Sequence, residues 1–121
     1  MAKLSEEAKN ILLERRVALV ATAGKNGIPN VSPKGLVKIL DDEHVAFADI
    51  ASPRTMANLA ENPQVAIIVF DPATRKGCRL WGKTEILDGG ADFEAMSADF
   101  AKLKMGVKHL VKVTLDQVET F

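Results

Sequence analysis

The sequence predicts a mainly β fold with peripheral helices: a small six-stranded antiparallel barrel. Three observations point to it. Six β-branched or apolar stretches are separated by turn signals. Three modest amphipathic patterns fit helices, two of them between strands, and such elements pack outside a small barrel. The 121 residues suit a single domain, 1–121, that can bury about two-thirds of the surface its unfolded chain exposes. Parallel βαβ winding is the lesser option.

The elements follow in chain order. Ser5 with Glu6 and Glu7 suits a helix start, and Leu4, Ala8, Ile11 and Leu12 recur at helical spacing up to Glu14-Arg15-Arg16. "VALVAT" (17–22) is the first strand, and Asn26-Gly27 can occupy the positive backbone angles of a hairpin turn. The second strand is expected from about Ile28 to Leu40. Its Pro29 and Pro33 cannot donate to a ladder, which implies an edge or a bent region. After Asp41-Asp42-Glu43, "HVAFADI" is the third strand. A helix then starts with Ser52 as N-cap and Pro53 in the first turn, and Asn62-Pro63 ends it. "QVAIIVF" (64–70) reads as a fully buried strand at the sheet's centre. "GCRLWGKTEIL" alternates Cys78, Leu80, Thr84 and Ile86 against Arg79, Trp81, Lys83 and Glu85. Phe93, Met96, Phe100 and Leu103 write a helix stopping at Gly106, and "HLVKVTL" alternates again.

Composition excludes several classes. Sixteen basic and sixteen acidic residues cancel, so no long-range field draws the protein to nucleic acid or an anionic membrane. No apolar run reaches the length of a membrane span, and "MAKLSEEAKN" is too charged for a signal peptide, so a cytoplasmic protein is expected. Cys78 is the lone cysteine, and His44 and His109 are far apart, so neither a disulfide nor a metal site is expected. No nucleophile–base pair stands out, and the catalytic residues stay unknown.

Four features could hold a ligand. Ser32 and Lys34 share a face if the backbone is extended, and Gly35 beside them allows close approach; alternatively Lys34 and Lys38 are solvated and Gly35 marks a bend. Ala46 and Ala48 leave room for a flat ring, or lie beneath a covering helix. Arg54 and Thr55 stand at a helix start, where free amides already attract anions and carboxylates are the usual residues. Either Arg54 is merely solvated, or a phosphate sits there, gripped by the arginine fork, the amides and the Thr55 hydroxyl, with Lys34 adding a second cation. Trp81 either plugs a loop or serves a dimer contact. Cys78 reads as core, and Asp49 as a ligand acceptor or a turn support.

The order "GIPNVSPKGLVKILDDEHVAFADIASPRTMANLAENPQVAIIVF" followed by "RLWGKTEIL" resembles the pyridoxamine 5′-phosphate oxidase-like family of FMN-binding split barrels, especially its small single-domain FMN-binding members. The resemblance implies a Greek-key split barrel and a homodimer with FMN at the subunit interface. It further implies that Lys34, Arg54 and Thr55 hold the FMN phosphate, and that Ser32, Pro33, Gly35, Leu36, Ala48 and Asp49 touch the flavin. Trp81 is then a candidate for closing the site from the partner subunit. Compared with the true oxidase, the chain carries no N-terminal extension and no Arg-x-His segment, so vitamin B6 oxidation is not expected. Some relatives take haem or a deazaflavin instead.

The expected function is therefore an FMN-binding oxidoreductase or electron carrier with an unidentified small-molecule or protein redox partner. The alternative is a non-redox dimeric module for another phosphorylated or planar ligand. A single-stranded nucleic acid barrel would need a basic groove with stacking aromatics, which zero net charge and the absence of tyrosine oppose.

Overall fold

The computed structural model describes residues 2–14 and 16–121. Arg15, in the basic run that closes the first predicted helix, lies outside the described residues. The elements run α1 (Glu6–Leu13), β1 (Ala18–Ala23), β2 (Pro29–Lys34), β3 (Lys38–Asp41), β4 (His44–Asp49), α2 (Pro53–Glu61), β5 (Gln64–Phe70), β6 (Gly77–Leu87), α3 (Ala91–Ala101) and β7 (His109–Thr120). Among the described residues the strands form one seven-stranded sheet in the order β2-β1-β5-β6-β7-β4-β3, and every pairing is antiparallel.

The expected count of six strands is corrected to seven because the stretch from Ile28 to Leu40 is not one strand. It breaks at Gly35-Leu36-Val37, and its halves, β2 and β3, sit at opposite edges of the sheet. That break shapes the molecule. Laid flat, the sheet's outer strands would stand about 29 Å apart at the usual strand spacing. The chain from Lys34 to Lys38 can span only about 14 Å. The sheet must therefore curl until its edges approach, although among the described residues no ladder closes between them and the expected barrel stays open. Pro29 and Pro33 fit this plan, since β2 has a single neighbour, β1, and edge positions spare the missing donors.

The curled interior holds Val20, Val45, Phe47, Ile67, Val69, Leu80, Val111, Val113 and Leu115, with α1 contributing Ala8, Ile11 and Leu12 and the segment before it Leu4. Cys78 belongs to this core, as expected, and burial pushes its thiol up to about 11. The β6–β7 ladder shifts register between Trp81 and Gly82, with Asp116 the extra residue on β7, and at Gly82 the backbone carbonyl of Thr114 on β7 comes so close that a side chain would clash. β5 is not fully buried: Val65, Ile67 and Val69 face the core, whereas Ala66 and Ile68 are half-exposed on the outside. An apolar outer face makes a one-sided strand read as a continuous run.

β4 is the strand buried on both faces. Val45 and Phe47 point into the interior, and Ala46 and Ala48 lie beneath α3 in a second cluster with Met96, Leu110 and the partly buried Phe93 and Phe100. Of the two readings of these alanines, the covering helix describes Ala46. Ala48 stands at the margin of that cover.

Candidate functional site

A cavity of about 590 Å³ opens where β2 ends. Ser32, Pro33, Lys34, Gly35 and Leu36 form one wall, and Ala48, Ile50 and Ala51 the floor. Asp99 and Phe100 of α3, with Leu103 and Met105 from the turn after it, form the opposite wall. The residues singled out from the second strand and Ala48 thus line one space. The α3 wall was not foreseen, because Phe100 and Leu103 share the helical spacing of core residues. The helix ends at Ala101, leaving Leu103 67% exposed at the cavity's lip. Lys38, instead of being solvated alone, pairs with Asp99 at 3.2 Å.

Asp49 does not line this cavity; it sits behind Ala48, where it organises the polar contacts between β4, β7 and the start of α2. Its side chain alternates to the interior face of β4 at the strand's end and is 4% exposed. Oδ1 accepts from the Ser52 hydroxyl at 2.7 Å and from the Ser52 amide at 3.3 Å, and Oδ2 lies 2.8 Å from His109 Nδ1. Burial favours the neutral acid, but the bonds from His109 and Ser52 outweigh it and hold the carboxyl below its usual value. Lys34 answers from β2: burial lowers its ammonium from the ordinary value, and the charge of Asp49 partly restores it. The ammonium stands 5.7 Å from the centre of the Phe47 ring.

α2 starts at this corner. Asn58 donates to Thr22 at 3.1 Å and helps fasten the helix to β1. Ser52 occupies the N-cap position and Pro53 the first turn, as expected, but the Ser52 side chain does not cap the helix. Its hydroxyl is committed to Asp49. The first amide bonded within the helix is that of Met56, to the Ser52 carbonyl at 3.0 Å. The amides of Arg54 and Thr55 have no partner among the described residues. The Thr55 hydroxyl is likewise without a partner among them, although Thr55 is only 1% exposed. The Arg54 side chain is exposed and makes no ion pair among the described residues. Two open amides and one orphan hydroxyl at the start of α2 are donors suited to an anion, and a helix start without acidic residues leaves that polarity uncancelled; Arg54 and Thr55 are not among the residues that line the cavity, whereas Lys34 is.

Trp81 lies elsewhere on the chain. It lines a shallow outer groove with Leu19, Ala21, Val31, Ala66 and Ile68, so within one subunit it does not reach the cavity. His109 reads in the sequence only as a residue remote from His44, because its role depends on the β4–β7 register, which sets it opposite Asp49 across sixty positions of chain. Among the described residues no group of three or more His, Cys, Asp or Glu could hold a metal ion, and no helix is long and apolar enough to cross a membrane.

Known proteins resemble this chain in sequence or in fold. An uncharacterized protein of Methanocaldococcus jannaschii is 41% identical over 69 residues, covering 55% of this chain and 46% of that protein, so the match spans about half of the relative's length. The crystal structure of HupZ from Group A Streptococcus superposes with a TM-score of 0.86 at 27% identity, covering 98% of this chain and 94% of that one. An FMN-binding protein from Syntrophomonas wolfei subsp. wolfei has the same fold at a TM-score of 0.88 and 15% identity, over 95% and 84% of the two chains. The sequence profile of pyridoxamine 5′-phosphate oxidase matches residues 4–121, nearly the whole described chain, and by that match the chain belongs to the pyridoxamine 5′-phosphate oxidase family.

Proposed function

We propose that the chain is an FMN-binding protein, acting as an oxidoreductase or electron carrier. The observation that carries this reading is the buried, partnerless Thr55 hydroxyl beside two open α2 amides, next to the corner that Lys34 and Asp49 share. An unsatisfied buried hydroxyl costs about 1–3 kcal/mol, a cost that a phosphate oxygen accepting from it would remove. In this reading Lys34, Arg54 and Thr55 hold the phosphate. Its charge of about −1.5 to −2 matches the two cations and the helix start.

The flavin would lie along Ser32, Pro33, Gly35 and Leu36, above Ala48 and against the backbone of Asp49. The cavity volume falls within the usual range for cofactor sites. FMN supplies reversible electron transfer when bound; the protein supplies anchoring, orientation and a shaped apolar surround. That division of labour agrees with the lack of an evident nucleophile and base in the sequence.

The reading includes a homodimer. The outer face carries Leu19 (38% exposed), Val31 (62%), Ile68 and Trp81 side by side, and contiguous exposed apolar patches are among the features that mark protein contacts. Pairing two copies through this face would cover it and would let Trp81 of one subunit approach the other's site.

The test is reconstitution. Purified protein given excess FMN should turn yellow and retain flavin through gel filtration at a dimer's elution volume. A visible spectrum separates flavin from haem and from colourless protein. A protein that stays colourless with FMN in excess refutes the reading and favours the non-redox module.

A further inference from the structure

The chain contains its own comparison for the unusual start of α2. Serine precedes both α1 and α2. At α1, Ser5 behaves as a cap: its hydroxyl oxygen accepts from the Ala8 amide at 3.1 Å, and Glu6 and Glu7 fill the first turn. At α2, Ser52 adopts a different backbone conformation and donates instead to Asp49. The residue three places before the serine differs, being Ala2 in the first case and Asp49 in the second.

We propose that Asp49 is a positioning residue for the anion site: by holding the Ser52 hydroxyl at its carboxylate, it turns that side chain away from the α2 amides and leaves those of Arg54 and Thr55 open to a phosphate. The inference rests on the phosphate reading given above. Asp49 is suited to the task because it cannot easily turn away. It is buried, both its oxygens are engaged, and His109 on β7 holds the one that Ser52 does not use. Without that acceptor, the nearest donor for the Ser52 oxygen is the helix start itself, and the serine would occupy the place of the anion. The chain keeps an aspartate that stabilises the uncapped arrangement, so the helix start stays open without strain in its own backbone.

The test compares variants of equal charge. Dissociation constants for FMN and for riboflavin, which lacks the phosphate, give a ratio that isolates the phosphate's contribution. Asp49→Asn keeps an oxygen acceptor for Ser52 and should retain most of its ratio. Asp49→Ala releases Ser52 and should show a ratio about fivefold lower than Asp49→Asn, the worth of a typical cap. Adding Ser52→Ala to Asp49→Ala removes the competing hydroxyl and should restore the ratio to that of Asp49→Asn. A merely structural role for Asp49 would give no such recovery. Equal ratios in Asp49→Ala and Asp49→Asn, or a double variant no better than Asp49→Ala, would overturn the proposal while leaving the phosphate reading intact. A wild-type protein that does not distinguish FMN from riboflavin would overturn both.

A second measurement needs no variant. In ligand-free protein the Thr55 amide should exchange with solvent much faster than the Ala8 amide, which a serine does cap. Equal protection of the two would count against the proposal.

Discussion

Replacing Thr55 by valine separates stability from binding, because the two should move in opposite directions. Valine has nearly the same shape as threonine but no hydroxyl. At this position the side chain is 1% exposed and its oxygen has no partner among the described residues. The hydroxyl therefore carries a desolvation cost of about 1–3 kcal/mol in the ligand-free protein, and its removal should raise stability by up to that amount. For a domain near this size a gain of 1 kcal/mol corresponds to about 3–5 °C in Tm. FMN binding should weaken, because a hydrogen bond to a charged phosphate contributes about 1.5–3 kcal/mol, or roughly 10- to 150-fold in Kd. Denaturant melts of ligand-free protein and flavin-fluorescence titrations read the two quantities separately. A Thr55→Val protein that is less stable without ligand, or that binds FMN as well as the wild type, would show that the hydroxyl is not held in reserve for an anion.

Other expectations follow from the same geometry. Burial lowers Lys34 from 10.5, so its positive charge disappears at lower pH than that of an exposed lysine; the FMN-to-riboflavin preference should decline with rising pH before 10.5 is reached, and Lys34→Ala should abolish that decline. Asp49 is held below 3.8 by His109 and Ser52, so it contributes stability that is present above 3.8 and is lost as pH falls through its depressed value. The stability difference between wild type and Asp49→Asn should accordingly shrink in acid, as urea melts across that range would show. Gly82→Ala would push a methyl group against the Thr114 carbonyl and to 2.7 Å from Val113 Cγ1, with an expected loss of about 1–3 kcal/mol in the same melts. Trp81→Asp, on the outer apolar face, should shift the protein toward monomer in sedimentation experiments while leaving the monomer's secondary structure unchanged by circular dichroism.

Much of the fold could be read along the chain because its signals are local. Ser5 with Glu6 and Glu7, Asn26-Gly27, and the Pro53 and Asn62-Pro63 boundaries act through their immediate neighbours, and the structure places their elements where those signals put them. The strand run from Ile28 to Leu40 misled because proline and glycine announce a bend without saying how far the chain travels after it. The apolar run of β5 misled because an outer face suited to another surface looks like a core face.

The candidate site divides along the same line. Residue chemistry alone marked Ser32, Lys34, Gly35, Arg54 and Thr55, since a cation and a hydroxyl at a helix start, or a glycine beside a lysine, stand out at short range. Only the tertiary structure brought β2, the end of β4 and the lip after α3 around one cavity, and only the register of β4 against β7 joined His109 to Asp49. The direction in which the Ser52 hydroxyl points was likewise decided by folding. A serine before a helix has two uses, and which one it takes depends on whether a buried acceptor lies within about 3 Å. Hydrogen-bond direction is a property of neighbours in space, and a sequence lists neighbours in order.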